Sequence, residues 1–289
     1  MSTFLLRPAR PEDADAVAAL SAHIWEGDDY VPRRFADWTA DSLGQFTLVW
    51  EGDQLVAFGK LTRLRPEQWW LEGLRVHPQQ RGRGIARLLH NHAVQLADEI
   101  GRGTLRFATA HENLAVHQLA AGTGFRLAAS FCLAEAPARS GPTPTGHLAT
   151  VKAAEVGAVR EWLSASAQFK AWGRFYEERW KWLELAPDLQ RLLQQERLLW
   201  WRGAEKSVRA LVIVQAEDEE VLWINYLDGS PDLLLQIAAD LRALAAELGR
   251  ERVRAKPPAT PDFRRSLEEA GWQIEPEFEM CVFERRLRR

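Results

Sequence analysis

The run Leu74-Arg75-Val76-His77-Pro78-Gln79-Gln80-Arg81-Gly82-Arg83-Gly84-Ile85-Ala86 constrains this chain more than any other stretch. Leu74 and Val76 read as the end of a β-strand and Pro78 as a turn. A helix follows, with apolar residues at Ile85, Leu88, Leu89, Ala93 and Leu96. Gly82 and Gly84 carry no Cβ, so backbone N–H groups at the helix start can converge on one point. The first turn of a helix leaves N–H groups without partners, and the helix dipole adds positive potential there. Such a place holds phosphate.

Spacing excludes two phosphate loops. No Lys-Ser/Thr pair follows Gly84, so this is not the loop of nucleotide hydrolases. A dinucleotide fingerprint needs a Gly or Ala three residues after Gly84, where Arg87 stands. What remains is Gln-x-x-Gly-x-Gly, as Gln79, Gly82 and Gly84, or an ordinary glycine turn with surface arginines.

A chain of 289 residues is comfortable for two domains, and 46% hydrophobic residues suffice for real cores. The net charge of −3 gives no overall basic field, so nucleic acid is not an expected partner. No apolar stretch is long enough to span a membrane, and the first residues do not read as a signal peptide, so a cytoplasmic location is expected. Cys132 and Cys281 sit in apolar runs and read as small core residues rather than a disulfide. His90 and His92 face different ways on a helix, and His111-Glu112 through His117 lacks the spacing of a zinc-protease helix, so no metal site is expected. Neither Ser nor Cys stands in a nucleophile context.

The two halves echo each other across a segment from Ala134 to Gly146 that holds three prolines and two glycines. A strand and a helix open each half, at Phe4–Arg7 and His147–Val151. Each half closes with a helix, Gly-Phe or Gly-Trp (Gly124-Phe125, Gly271-Trp272), and a strand holding Phe131-Cys132-Leu133 or Met280-Cys281-Val282. The offsets agree within two residues, which points to duplication. On that register the phosphate loop falls opposite Leu227-Asp228-Gly229-Ser230-Pro231-Asp232, where its glycines and arginines are missing. Trp172, Phe175, Tyr176, Trp180 and Leu183 lie at helical spacing in the second half, as core or as an aromatic wall beside an acceptor pocket.

The loop after its strand resembles the pyrophosphate loop of the GNAT superfamily of acyl-coenzyme A N-acyltransferases, and the resemblance covers nearly all of residues 3–135. It implies an α/β fold with a mixed sheet, in tandem. A domain at 1–135 would bind acetyl-CoA, residues 136–146 would be a linker, and 147–289 a degenerate GNAT-like domain completing the acceptor cleft. The resemblance assigns the cosubstrate to Leu74, Val76, Gln79, Arg81, Gly82, Arg83, Gly84, Ile85 and Ala86. Asn113, in Thr109-Ala110-His111-Glu112-Asn113, would border the pantetheine arm; its plain alternative is to cap the following helix. Many GNAT enzymes carry a glutamate where Glu72 stands, and Glu72 is the candidate base, with a purely structural role as the alternative. The family's tyrosine acid is replaced by Ala120, and His117 is one helical turn earlier. A narrower similarity joins Glu72-Gly73-Leu74-Arg75-Val76 and Gly27-Asp28-Asp29-Tyr30-Val31-Pro32 with Trp38 to the GNAT group that includes vertebrate histidine N-acetyltransferases. It places Asp29 and Tyr30 at the acceptor. The implied activity is direct acetyl transfer from acetyl-CoA to a primary amine of a small molecule, an amino acid first. A polyamine or aminoglycoside acceptor and a non-catalytic CoA-binding role are the alternatives. The small amine is then the expected partner, and a monomer, as a pseudo-dimer, is expected rather than a homodimer.

Overall fold

The computed structural model of the chain describes residues 3–139, 148–202 and 208–288. Two compact units emerge: Met1–Ala108, Asn113–Arg126 and Phe283–Arg289 form the first, and Thr109–Glu112 with Leu127–Val282 the second. The first unit begins with β1 (Phe4–Pro8), α1 (Ala14–Ser21) and α2 (Val31–Ala40). β2 (Gln45–Glu51), β3 (Gln54–Arg65) and β4 (Gln68–Val76) follow as an antiparallel meander. Then come α3 (Ile85–Ile100), β5 (Thr104–Ala110), which runs parallel to β4, and α4 (Leu114–Gly122).

β6 (Arg126–Pro137) leads into the second unit. There β7 (Leu148–Thr150), α5 (Val156–Ala165) and α6 (Ala167–Ala171) precede a two-stranded hairpin of β8 (Phe175–Glu178) and β9 (Lys181–Glu184). α7 (Leu185–Gln194), β10 (Leu198–Arg202), β11 (Val208–Gln215) and β12 (Val221–Leu227) come next. The chain ends with α8 (Pro231–Glu247), β13 (Arg252–Ala255), α9 (Pro261–Glu269) and β14 (Gln273–Arg286). The strand pairings of the first unit recur: β10 and β11 are antiparallel, as are β11 and β12, and β13 is parallel to β12.

A boundary at residue 135 is therefore not where the compact units divide. β6 pairs with β13, from Arg252↔Pro137 to Ala255↔Ala134, and so completes the sheet of the second unit. The last residues of the chain do the same for the first unit, where the Phe107 and Phe283 rings stack at 5.4 Å and Arg285 forks onto Asp98 at 2.7 and 3.1 Å. Each unit is thus finished by a strand from the other half of the sequence, a pairing that no local pattern announces. Residues 140–147, which hold most of the expected linker and His147, lie outside the described residues.

Two other expectations need correction. The aromatic stripe from Trp172 to Leu183 is not on one helix: α6 stops at Ala171, and the turn at Arg179 and Trp180 (φ 51° and 67°) folds the segment into the β8–β9 hairpin. Trp172, Phe175, Tyr176 and Leu183 are core residues of the second unit, and Trp180 is about half exposed. In α3 the buried face is Ile85, Leu89, His90, Val94 and Ala97, with Leu88 turned to solvent.

The first unit's main core joins the two opening helices to the meander. Trp38 meets Phe46 edge-on at 5.1 Å, and Phe46 meets Phe58 at 5.7 Å. Each such buried side chain is worth roughly 1.5–3 kcal/mol. Cys132 and Cys281 are both buried and free. Among the described residues, no helix is long and apolar enough to cross a membrane.

His90 enters the buried face of α3 because it stands beside Phe107 and Phe125 and bonds Thr123 Oγ1 at 2.8 Å. Burial, aided by the charge of Arg285, pushes its imidazole from 6.5 down to about 4. Between those pH values the unfolded chain takes up a proton that the folded chain refuses. The contribution, roughly 3 kcal/mol, is full above pH 6.5 and is lost as pH falls toward 4. A His90→Gln variant is expected to lose less stability than the parent between pH 7 and pH 4.5 in denaturant titrations. Equal losses would place the acid sensitivity elsewhere.

Candidate active site

β4 departs from a regular strand where the site begins. Between the pairs Phe58↔Arg75 and Lys60↔Glu72 the register shifts, with one more residue on β4 than on β3. Gly73 takes up that bulge at φ 66°, pressed against the Trp38 indole: a Cβ there would stand 2.5 Å from Trp38 Cη2. Only glycine meets both demands. On its other side β4 pairs with β5 from Gln68↔Thr104 only as far as Trp70↔Arg106. Past Trp70 the strand runs on through Val76 toward the glycine loop.

Glu72 sits half-buried on this segment. Its Oε1 accepts a hydrogen bond of 2.6 Å from Thr62 Oγ1 on β3, which fixes the carboxylate's direction. Thr62 was invisible to sequence reasoning, because only the register of β3 on β4 brings it there. Lys60, the residue across from Glu72, is buried and binds Asp41 and the Leu61 carbonyl. Burial, and next the charge of Glu72, push the Tyr30 phenol up to about 12. Tyr30 is therefore a neutral hydroxyl at any working pH.

Asp29 does not present an open carboxylate. Its side chain is fully buried, and Arg75 of β4 donates to both oxygens at 3.1 Å, from Nε and Nη2. Val31 N–H at the start of α2 approaches Oδ1 at 3.4 Å. The Arg75 guanidinium also lies 4.1 Å from the Trp25 ring and 5.6 Å from that of Tyr30. Trp25 is largely exposed, and it and Glu26 adopt left-handed φ of 47° and 58°. Strain of this kind, about 1–3 kcal/mol per residue, collects at functional loops.

The glycine loop takes the form expected from its sequence. Pro78–Gln80 make one 3-10 turn, and His77 Nδ1 accepts from Gln79 N–H at 3.3 Å. Gly82 and Gly84 have φ of 78° and 79°, and a Cβ at either would meet nothing within 4 Å. Gly84 is the N-cap of α3, with no side chain capping the helix. The exposed loop and uncapped helix start form an open cradle for an anion. Of the residues assigned to the cosubstrate, Gln79, Arg81, Gly82 and Gly84 lie exposed around it. Arg83 is instead engaged by Glu51, with two bonds of 2.7 Å. Ile85 is buried against Val49, Val56, Ala57 and Leu89, so only its backbone faces the cradle, and Leu74 and Val76 pack against the same cluster. Ala86 is half-buried in the first turn.

Asn113 begins α4, where its carbonyl accepts from Val116 and His117 N–H groups, but its side chain makes no capping bond. Ala120 is fully buried. His117 lies edge-on to Phe283 at 5.0 Å.

The second unit repeats the bulge and the parting. The register of β11 on β12 shifts beside Asn225, and β12 and β13 pair only to Ile224↔Ala255. The residues next beyond are Asn225 and Lys256, and buried polar groups occupy them. Lys256 Nζ is 3.1 Å from Glu177 Oε1, with the Trp180 and Trp223 rings within 4.4 Å. Asn225 accepts from Arg197 at 2.8 Å and donates to Glu177 at 3.4 Å. Burial pulls the Lys256 ammonium down, against the charge of Glu177. The connection from β12 to α8 is three residues, 228–230, against eight, 77–84, from β4 to α3, and Asp228 within it is buried, accepting from Trp162 and Tyr226. Asp232's side chain lies outside the described residues. The fold also brings the ligand atoms of His111 and, far from it in sequence, Glu279 and Cys281 within 4.8 Å of one another.

Comparison with known proteins follows the same lines. Residues 15–125 match the acetyltransferase (GNAT) family. A histidine N-acetyltransferase of Oreochromis niloticus is 34% identical over 89 residues, 30% of this chain and 26% of that protein. The chain thus spans about a quarter of the length of that relative. Over the whole chain the fold is that of a GCN5-related N-acetyltransferase from Sphaerobacter thermophilus, at TM-score 0.66 and 17% identity, covering 99% of this chain and 96% of that one. A tandem GNAT protein from the clavulanic acid biosynthesis pathway aligns at TM-score 0.55 and 15% identity, covering 99% of each chain.

Proposed function

We propose that this chain, whose residues 15–125 are a domain of the GNAT acetyltransferase family, moves the acetyl group of acetyl-CoA directly to the primary amine of a small molecule, an α-amino acid first. One observation carries the reading: β4 carries Glu72 past its register with β5 and straight into an uncapped, glycine-built anion cradle. Glu72 and Val76 are four residues apart, roughly 13 Å of strand, a span suited to an extended arm between a pyrophosphate and a reacting end. When bound, acetyl-CoA supplies an activated thioester. The α3 N-terminus and loop N–H groups hold its phosphates, and the end of β4 lies along its amide arm.

Glu72, oriented by Thr62, takes the proton that the attacking amine must lose, either itself or through a water. At pH 7 that deprotonation costs about 1–1.5 kcal/mol for an α-amine near pKa 8, against roughly 4–5 kcal/mol for a lysine-like amine. A site with one carboxylate and Ala120 in place of a tyrosine acid suits the cheaper substrate. The departing thiolate, with a reference pKa near 8.5, picks up a proton from water readily. The partial likeness to a histidine N-acetyltransferase points the same way. Asp29 serves by holding Arg75, and the neutral Tyr30 hydroxyl, beside Arg75 and in the field of Glu72, serves as an acceptor contact.

Acceptor choice is read from kcat/KM with free histidine, the other amino acids, polyamines and aminoglycosides. Amino acids are expected to exceed the others by at least about tenfold. Preference for a polyamine or aminoglycoside would overturn the acceptor class and leave the donor side of the proposal standing.

A further inference from the structure

The fold assembles one side-chain cluster that neither acetyl transfer nor any local sequence pattern uses. Glu279 and Cys281 are alternate residues of β14 and so project from the same face of the strand. His111, 168 residues before Glu279, is locked to that strand by its own backbone, since its N–H donates to the Glu279 carbonyl at 2.9 Å. His111 Nδ1 then lies 3.7 Å from Cys281 Sγ and 3.8 Å from Glu279 Oε1. All three residues belong to the second unit.

From this geometry we infer that His111, Glu279 and Cys281 form a binding site for a borderline-soft divalent cation of the zinc class. With zinc–nitrogen and zinc–oxygen bonds near 2.0–2.1 Å and zinc–sulfur near 2.3 Å, tetrahedral edges are roughly 3.6 Å for N···S and 3.3 Å for N···O. The two separations from His111 Nδ1 exceed these by up to about half an ångström, and the whole set lies within 4.8 Å, so the Glu279 carboxylate must swing toward Cys281 Sγ to close the third edge. A thiolate, an imidazole and a carboxylate together favour zinc, cobalt or nickel over magnesium or calcium. Binding releases the Cys281 proton to solvent and leaves the fourth position to water. Arg264 lies 3.7 Å from Glu279 Oε2, on the oxygen away from His111, and the Ser130 hydroxyl is 3.5 Å from Cys281 Sγ. These two hold the ligand side chains in place from outside the triangle. His111 is two-thirds exposed, which gives the ion its path in.

The test is titration of the chelator-treated full-length chain with cobalt(II), followed by competition with zinc and with magnesium. The site predicts one equivalent per chain and a thiolate-to-cobalt charge-transfer band in the near ultraviolet. Zinc should erase the band and magnesium leave it. Cys132, the only other cysteine, is buried with its thiol 3.7 Å from the Pro257 carbonyl, so a band reports Cys281. Cys281→Ser should abolish the band. His111→Ala alters an exposed side chain, and should weaken cobalt by at least about tenfold while the metal-free protein keeps its thermal midpoint. Cobalt binding without a thiolate band, or equal affinity in His111→Ala, would overturn the site and reduce the cluster to a hydrogen-bonded surface group.

Discussion

Glu72→Gln is expected to lower turnover by about a hundredfold or more, while coenzyme A affinity stays within about a factor of two. The amide keeps the size of the carboxylate and can still bond Thr62 Oγ1, so β4 and its bulge need not move. What it loses is the capacity to accept a proton. A positioned base contributes 10²–10⁴-fold, and a hundredfold corresponds to about 2.7 kcal/mol of barrier. A loss in kcat with unchanged donor binding marks an interaction made in the transition state. Turnover equal to the parent from pH 6 to 9 would move the proton to another group. His77 is then next to test; burial and the nearby His23 hold its imidazole below its usual range, so it is a neutral acceptor at pH 7.

Gly84→Val is expected to abolish coenzyme A binding in calorimetry, and Gly82→Val to weaken it severely. Both glycines hold φ near 79°, which a β-branched residue reaches only at a cost of about 1–3 kcal/mol. The chain relieves that strain by turning the loop, and the N–H groups then cease to converge. Because a Cβ at either position meets open space, the damage falls on the loop and leaves the core intact. The parent should bind one coenzyme A per chain. In the second unit the β12–α8 connection is too short for a copy of the loop, and Lys256, Glu177 and Asn225 occupy the start of the strand parting. Two equivalent sites would refute that account of the second unit.

The glycine loop and the helix it opens were legible in sequence because their backbone needs are local. Gly82, Gly84 and the start of α3 are contiguous, and their backbone needs are written in residue types. The duplication was legible as well, since Gly124-Phe125 and Gly271-Trp272 each end a helix ahead of a strand. Long-range pairing was not. β6 completes the sheet of the second unit and the end of β14 that of the first, and nothing in either strand names its partner. The same gap hid Thr62 behind Glu72, Arg75 on Asp29, and His111 beside Cys281. Helical spacing misled at Trp172–Leu183, where two left-handed residues, Arg179 and Trp180, turn an apparent stripe into a hairpin. Asp29 kept its neighbourhood and changed its task, because burial beside Arg75 spends both carboxylate oxygens on a structural pair.

The central claim, direct acetyl transfer from a thioester to an amine, rests on one measurement above the rest. The protein is mixed with acetyl-CoA, with and without the amine panel, and free coenzyme A thiol and N-acetyl product are quantified together, alongside the intact mass of the protein. Direct transfer predicts thiol release that requires an amine, matches N-acetylated product one for one, and leaves the protein mass unchanged. No amine-dependent thiol release across the panel, or an acetylated protein that forms before the amine is added, would contradict it.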